Sequence, residues 1–182
     1  MIVETGGAGC IGSAIVCALN KRGITDIILV DRIDHPEKEK NIASLDYFAL
    51  EHKDVFLRYI TSLNTPWSVD AIIHMGGCSS TIERDEAFLT KNNYNYTKFL
   101  ATYALNRDIR FVYASSAATY GSGENGFSDE VDLETLRPLN LYGHSKQNFD
   151  LWAQGQGALD RIVGLKYFNV FGPSEYHKKE MQ

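Results

Sequence analysis

The stretch TGGAGCIG, Thr5 to Gly12, stands between an apolar run that starts at Met1 and a helix-patterned segment from Ile11 to Lys21. Glycines at this spacing let the backbone turn sharply from a strand into a helix, and few folds use such a turn. Gly6 permits the tight turn, Gly9 leaves room for a pyrophosphate to approach the backbone, and Gly12 lets the helix pack closely on the strand. The helix amino terminus then offers unpaired N–H groups and a partial positive charge to the phosphates.

A second apolar run, Ile27 to Val30, ends at Asp31, about 20 residues past the glycines, where a carboxylate accepts hydrogen bonds from an adenosine ribose. Alone, Asp31 favours NAD, since it repels a 2′-phosphate. Arg32 follows at once, and Lys38 and Lys53 can add positive charge. The residues themselves leave NAD and NADP both open.

Period and punctuation extend the pattern along the chain. Met1 to Thr5 is read as a strand, and the polar segment around His35 and Pro36 as a solvated loop. Ile42 to Phe48 reads as a weak third strand, Lys53 to Ile60 as a short helix, and Val69 to His74 as a fourth strand stopped by glycines 76 and 77. A long helix is expected from Asp85 to Asn106, a strand from Ile109 to Ala114, a helix from Leu139 to Ala153 and a strand from Arg161 to Val170. Alternation of this kind implies a mostly parallel sheet covered on both faces, with ligands at the carboxyl ends of the strands.

At 182 residues the chain is long enough for one domain with a substantial core. It is 44% hydrophobic and 23% charged, with a net charge of −5, a balance that argues against a nucleic-acid groove or an anionic membrane surface. Three cysteines without a CxxC pair suit a reducing cytosol. The amino end lacks a basic leader and an uninterrupted apolar core, so a cytoplasmic location is expected. His74 and Cys78 lie four apart, but no further ligands flank them, and no metal site is expected.

Two tyrosine–lysine pairs occur at a spacing of four, Tyr94 with Lys98 and Tyr142 with Lys146. On a helix each pair is stacked one above the other, so spacing cannot choose between them. Oxidising a sugar alcohol by hydride transfer requires a base for the hydroxyl proton. A tyrosine titrates near 10, so a phenolate at pH 7 needs about 4 kcal/mol of stabilisation, which an adjacent ammonium and a positive nicotinamide ring can supply. A serine must also hold the alcohol. The strand end YASSAATYG offers Ser115 and Ser116 next to the Tyr142 segment, whereas Tyr94 and Lys98 share a helix with the apolar stripe Phe88, Tyr96, Phe99, Leu100 and Tyr103. The second pair is therefore assigned to catalysis and the first to packing.

The turn, the strand-end serine and YGHSK together resemble the extended short-chain dehydrogenase/reductase superfamily. Within it, GCSST, NNYNYTK, YASSAATYG, PLNLYGHSK and KYFNVFGP followed by HK resemble the ADP-heptose 6-epimerases that supply heptose for lipopolysaccharide. The resemblance runs from Met1 to Met181. It implies a Rossmann-type doubly wound parallel sheet and a pyrophosphate held by Gly6, Gly9, Cys10, Ile11 and Gly12. Asp31, Arg32, Lys38 and Lys53 would surround the adenosine, and NADP becomes the expected cofactor, with NAD possible. Met75, Gly76, Gly77, Cys78 and Ser79, with Asn92, would line the cofactor cleft.

Ser116, Tyr142 and Lys146 would be the catalytic trio, with Lys146 also touching cofactor. Asn169 would contact substrate, and Val170 cofactor. Epimerisation needs an acid in each of two ketone poses; Lys178 matches the family's second acid/base, and His177 would help hold substrate.

The family continues into a second lobe, so residues 1–170 are expected to be the NAD(P)-binding domain and 171–182 the start of that lobe. An incomplete copy, inactive alone, is the resulting expectation, with a homo-oligomer when full length. An enzyme alternative is a UDP- or dTDP-sugar 4-epimerase or dehydratase; a non-enzyme alternative is a fragment that only binds dinucleotide. Glu4 in the first strand departs from the aliphatic residue usual there, and Cys10, Ala49, Ser174 and Glu180 depart elsewhere.

Overall fold

The computed structural model describes residues 1–172. Two compact units divide them, Met1–Gly76 with the segment from Val170, and Gly77–Asn169.

In the first unit β1 (Ile2–Thr5) runs into α1 (Cys10–Asn20), followed by β2 (Ile27–Asp31), α2 (Pro36–Ile42), β3 (Ala49–His52), α3 (Lys53–Thr61) and β4 (Ala71–His74). The strands are ordered β3-β2-β1-β4. All are parallel: Ile2 lies opposite both Ile27 and Ala71, and Ile28 opposite Ala49. The chain therefore moves outward from β1 through β2 to β3, then returns to the other side of β1. That reversal is the switch point of a doubly wound sheet, and it opens a crevice at the carboxyl ends of β1 and β4. Ile27 to Val30 are all buried, as expected of a parallel strand covered on both faces.

Two sequence expectations fail in this unit. The polar segment after His35 is a helix, α2, and the third strand begins at Ala49 rather than occupying Ile42 to Phe48. Pro36 sits in the first turn with Glu37 and Glu39, and Lys40 in the last. Both placements suit the helix dipole, and proline in the first turn forfeits no hydrogen bond. The cap is His35, whose Nδ1 accepts from the Glu37 N–H at 3.2 Å. His52 does the same for Asp54 at the start of α3. Ile42, Leu45 and Tyr47 look like strand residues because they are apolar, yet they pack on Ala8, Val16, Ile27 and Leu29.

The second unit contains α4 (Glu86–Leu89), a π-helical turn at Thr90–Asn95, α5 (Tyr96–Asn106), β5 (Arg110–Ser116), a 3₁₀ turn at Ala117–Tyr120, another at Leu133–Thr135, α6 (Leu141–Gly155) and β6 (Ile162–Tyr167). β5 and β6 pair in parallel from Phe111 opposite Ile162 to Ser116 opposite Tyr167. Phe111, Tyr113, Phe149 and Trp152 form a continuous aromatic file, with the Tyr113 and Phe149 rings 4.7 Å apart and edge-to-face. Lys98 lies over the rings of Tyr94 and Trp152, so the Tyr94–Lys98 pair is engaged in packing. No helix among the described residues is long and apolar enough to cross a membrane.

Candidate active site

The glycine turn is built so tightly that Gly6 and Gly12 stand against backbone where no side chain fits. Gly6 has φ +76°, and a Cβ there would lie 2.6 Å from the Gly76 nitrogen, where β1 and β4 end. A Cβ on Gly12 would lie 2.3 Å from the Gly6 carbonyl oxygen. Gly9 differs: a Cβ would meet only that carbonyl, at 3.2 Å, so the turn has an open side there. Gly9 is also the N-cap of α1 and supplies no side-chain cap. The first-turn amides of Cys10, Ile11 and Gly12 cannot be satisfied within the helix. A wall of backbone on one side and an uncapped helix end on the other form a cradle that fits a diphosphate.

Asp31 closes the turn from the end of β2. Its Oδ2 accepts from the Ala8 N–H at 3.0 Å, while Oδ1 accepts from the Arg32 N–H at 2.6 Å and from Lys38 Nζ at 2.8 Å. Lys38 also donates to the Arg32 carbonyl, and the Arg32 guanidinium pairs with Asp34 at 2.7 Å. Lys38 and Arg32 hold the Asp34 carboxyl below its usual range, against the opposing effect of desolvation. Three of the expected adenosine-end residues are thus brought together, with Lys38 cancelling the charge of Asp31. Lys53 opens α3, its Nζ 3.3 Å from Asp54 Oδ1. Met75 follows β4, its N–H donating to the Thr5 carbonyl at 2.9 Å. His74 Nδ1 is hydrogen-bonded to the Thr5 hydroxyl, and no group of three metal-ligating side chains gathers among the described residues.

Glu4 is fully buried, and neither carboxylate oxygen has a hydrogen-bond partner. Burial, reinforced by the negative charge of Asp31, pushes its pKa well above the ordinary carboxylate value. Glu4 is therefore held towards its neutral form.

In the second unit the loop at Gly77 and Cys78 is clamped by Asn93, which the sequence reading passed over in favour of its neighbour Asn92. Asn93 Oδ1 accepts from the Cys78 N–H at 2.8 Å, and Nδ2 donates to the Cys78 carbonyl at 3.1 Å and to Ser145 Oγ at 3.0 Å. Gly77 has φ +142°, and a Cβ there would sit 2.9 Å from Asn93 Oδ1. Asn93 lies in the π-helical turn, a widening often found at functional sites. Asn92 donates to the Phe88 carbonyl within its own helical segment. Ser79 is exposed on the far side of Cys78. A run of asparagines inside a helical pattern was the available signal, since asparagine is a poor helix former.

Ser116, Tyr142 and Lys146 are brought into one site. Ser116 ends β5, Tyr142 begins α6, and the two side chains are hydrogen-bonded. Asn140 caps α6 by accepting from the Gly143 N–H at 2.7 Å. A Cβ on Gly143 would lie 2.8 Å from the Ala118 carbonyl oxygen, so glycine lets the helix start close against the strand end. One turn further, buried Lys146 donates to the Ala114 carbonyl of β5 at 2.8 Å. Desolvation pulls its pKa down to about 8, opposed by the negative charge of Asp150.

The Tyr142 pKa moves in the opposite direction to that of Lys146. Burial raises it, against the hydrogen bond from Ser116, and the Lys146 ammonium is directed to a backbone carbonyl. Asn169 and Val170 lie exposed beyond β6. His177 and Lys178 fall outside the described residues.

A model of the NAD dependent epimerase/dehydratase family matches residues 2–182. The chain belongs to this family. A curated family relative from Nitratidesulfovibrio vulgaris strain DP4, an ADP-L-glycero-D-manno-heptose-6-epimerase, is 50% identical over the whole of this chain. A Fusobacterium nucleatum protein of the same name is 47% identical, again over the whole chain. The chain spans 57% and 56% of the lengths of these two relatives. Among solved structures, the Helicobacter pylori ADP-L-glycero-D-manno-heptose-6-epimerase superposes with a TM-score of 0.81 at 26% identity, covering 99% of this chain and 58% of that one. A Bacillus cereus UDP-glucuronic acid 4-epimerase in complex with NAD superposes at 0.78 with 24% identity, covering 96% and 58%, which speaks to the fold. The fold of the chain is the Rossmann-type α/β fold of this family.

Proposed function

We propose that this chain forms the cofactor-binding and proton-transfer part of an ADP-L-glycero-D-manno-heptose 6-epimerase. The observation that carries this reading is the Ser116–Tyr142–Lys146 arrangement, supported by the names of relatives at 47% and 50% identity. A bound nicotinamide dinucleotide supplies the hydride acceptor and donor. Tyr142 takes the hydroxyl proton from carbon six of the heptose as that carbon gives up its hydride, and Ser116 holds the oxygen in line. For epimerisation the ketone would have to turn and present its other face to the dinucleotide, which would supply the hydride. Lys178 delivers the proton to oxygen in the second pose, with His177 and Asn169 holding the sugar.

Raised by burial, the Tyr142 phenol needs a cation close by to ionise, and Lys146 together with the nicotinamide ring provides one. NADP is the proposed cofactor, with NAD accepted. What supports it is the pairing of Asp31 with Lys38 at 2.8 Å, which offsets the repulsion between Asp31 and a 2′-phosphate while Arg32 remains half exposed. Val170 would contact the cofactor. The proposed setting is the cytoplasm, as a homo-oligomer and without nucleic-acid or membrane partners.

The test joins this chain to the remaining length of the Nitratidesulfovibrio relative and measures conversion of the ADP-heptose epimers. Conversion that Tyr142→Phe abolishes supports the proposal. Conversion that this variant leaves unchanged refutes it. No conversion by a folded, dinucleotide-binding chimera would favour a binding role instead.

A further inference from the structure

Lys146 poses an electrostatic problem that Tyr142 and Ser116 do not solve. Its ammonium is buried and has one carbonyl as its hydrogen-bond acceptor. An ammonium so placed tends to shed its proton, and a neutral amine cannot stabilise a phenolate. Asp150 lies one turn along α6, on the same face as Lys146.

The Asp150 carboxylate is locked in position. Oδ1 accepts from the Tyr113 hydroxyl at 2.9 Å, and Oδ2 accepts from Ser115 Oγ at 2.7 Å and from Lys166 Nζ at 2.9 Å. Tyr113 and Ser115 share a face of β5 because side chains alternate along a strand, and the Ala114 carbonyl between them accepts from Lys146. Lys166, on β6, also donates to Thr119 Oγ1 at 2.7 Å, and Thr119 in turn donates to the Ser116 carbonyl at 2.8 Å. A continuous polar file thus joins Asp150 to the backbone of the strand-end serine.

We propose that Asp150 is a positioning residue that keeps Lys146 cationic in its buried site, while Lys166 anchors the same carboxylate from the opposite strand. The inference rests on the proposed function only for the use to which the cation is put. The pairing itself belongs to the folded chain. The groups acting on Lys146 are Asp150 on α6, the Ala114 carbonyl of β5, and Cys78, whose thiol burial pushes up in pKa; Tyr142 stands one turn back on the same helix face. Tyr113 and Lys166 act on Lys146 through Asp150. Of these, Asp150 is the carboxylate whose negative charge favours the ammonium.

The experiment follows the Lys146 ammonium directly, by NMR titration of the purified chain labelled with 13C,15N-lysine and assigned with a Lys146→Arg variant. Asp150→Asn should move the Lys146 midpoint down by about one unit or more. The same replacement in a Lys166→Met background should move it down again relative to Lys166→Met alone. That second pair isolates Asp150 from any direct effect of Lys166. It also removes the buried carboxylate and its cation together, a gentler change than orphaning one of them.

A fall on replacing Asp150, in whichever background folds, supports the inference. An unchanged or raised midpoint there overturns it. Since no turnover is measured, failure here leaves the epimerase reading standing, and failure of that reading leaves this titration interpretable.

Discussion

Glu4 and Asp150 are both buried carboxylates, one in each unit, and their surroundings differ in every respect that governs the cost of burial. Glu4 lies in the middle of β1 between Leu29 and Ile73, with no partner for either oxygen. Asp150 receives two hydroxyls and an ammonium. Removal from water disfavours a charge in both places, but only Asp150 has donors to offset it. Burial of a carboxylate thus says nothing about its role until its partners are counted. The first unit holds a buried carboxylate with no donor in its sheet, whereas the second surrounds its buried carboxylate with two hydroxyls and the Lys166 ammonium.

The largest effect expected lies at the centre of the second unit. Tyr142→Phe should reduce epimer interconversion by about two to four orders of magnitude in the extended chain, the usual contribution of a general acid–base group, as measured by the rate of heptose epimer exchange. Asp150→Ala should come next, because it leaves Lys166, largely shielded from water beside Thr119, without its anion. A loss of about 3–5 kcal/mol in urea unfolding is expected. A loss no greater than that of an exposed substitution would erase the contrast with Glu4.

Glu4→Leu should do the opposite and stabilise the chain by about 1–3 kcal/mol at pH 7. Because the folded-state pKa of Glu4 is raised, the folded chain holds this proton more tightly than the unfolded one. Its contribution is fully present below about pH 4.5 and is lost as pH rises through the folded-state value. Unfolding curves recorded across that range should show this decline in the parent and not in Glu4→Leu. A parent and variant of parallel pH dependence would mean that Glu4 has found a partner.

The smallest effect is expected at the Asp31 cluster. Lys38→Ala should weaken NADP about tenfold relative to NAD, the equivalent of about 1.4 kcal/mol from one charge-assisted contact, measured by titrating each dinucleotide. Equal losses for both would remove Lys38 from the choice of cofactor.

Much of this molecule was legible in advance because it depends on neighbours in sequence. The glycine turn, β1, β2, α1, α3, α6 and β5 fall within a few residues of their expected bounds, and Tyr142 and Lys146 do share a helix face. α2 was not legible because histidine caps are rare among capping residues and alternating charge reads as solvent exposure. β3 lies beyond the expected run because apolar content reports burial and not strand pairing. Ile42, Leu45 and Tyr47 cover a core cluster, while Ala49–His52 takes up the register opposite β2. Asn93 was overlooked because two asparagines stand side by side, and only the π-helical turn decides which of them reaches Cys78.

By itself, the amino-acid sequence determined the elements that periodicity controls and the residue types gathered at the ends of their strands. It could not decide which charges would be paired. Lys146 meets a carbonyl 32 residues away, Asp150 meets donors at separations of 37, 35 and 16 residues, and Glu4 meets none. Those outcomes depend on distances in three dimensions, and a charge removed from water is stabilised or penalised by whatever the fold has placed within hydrogen-bonding reach.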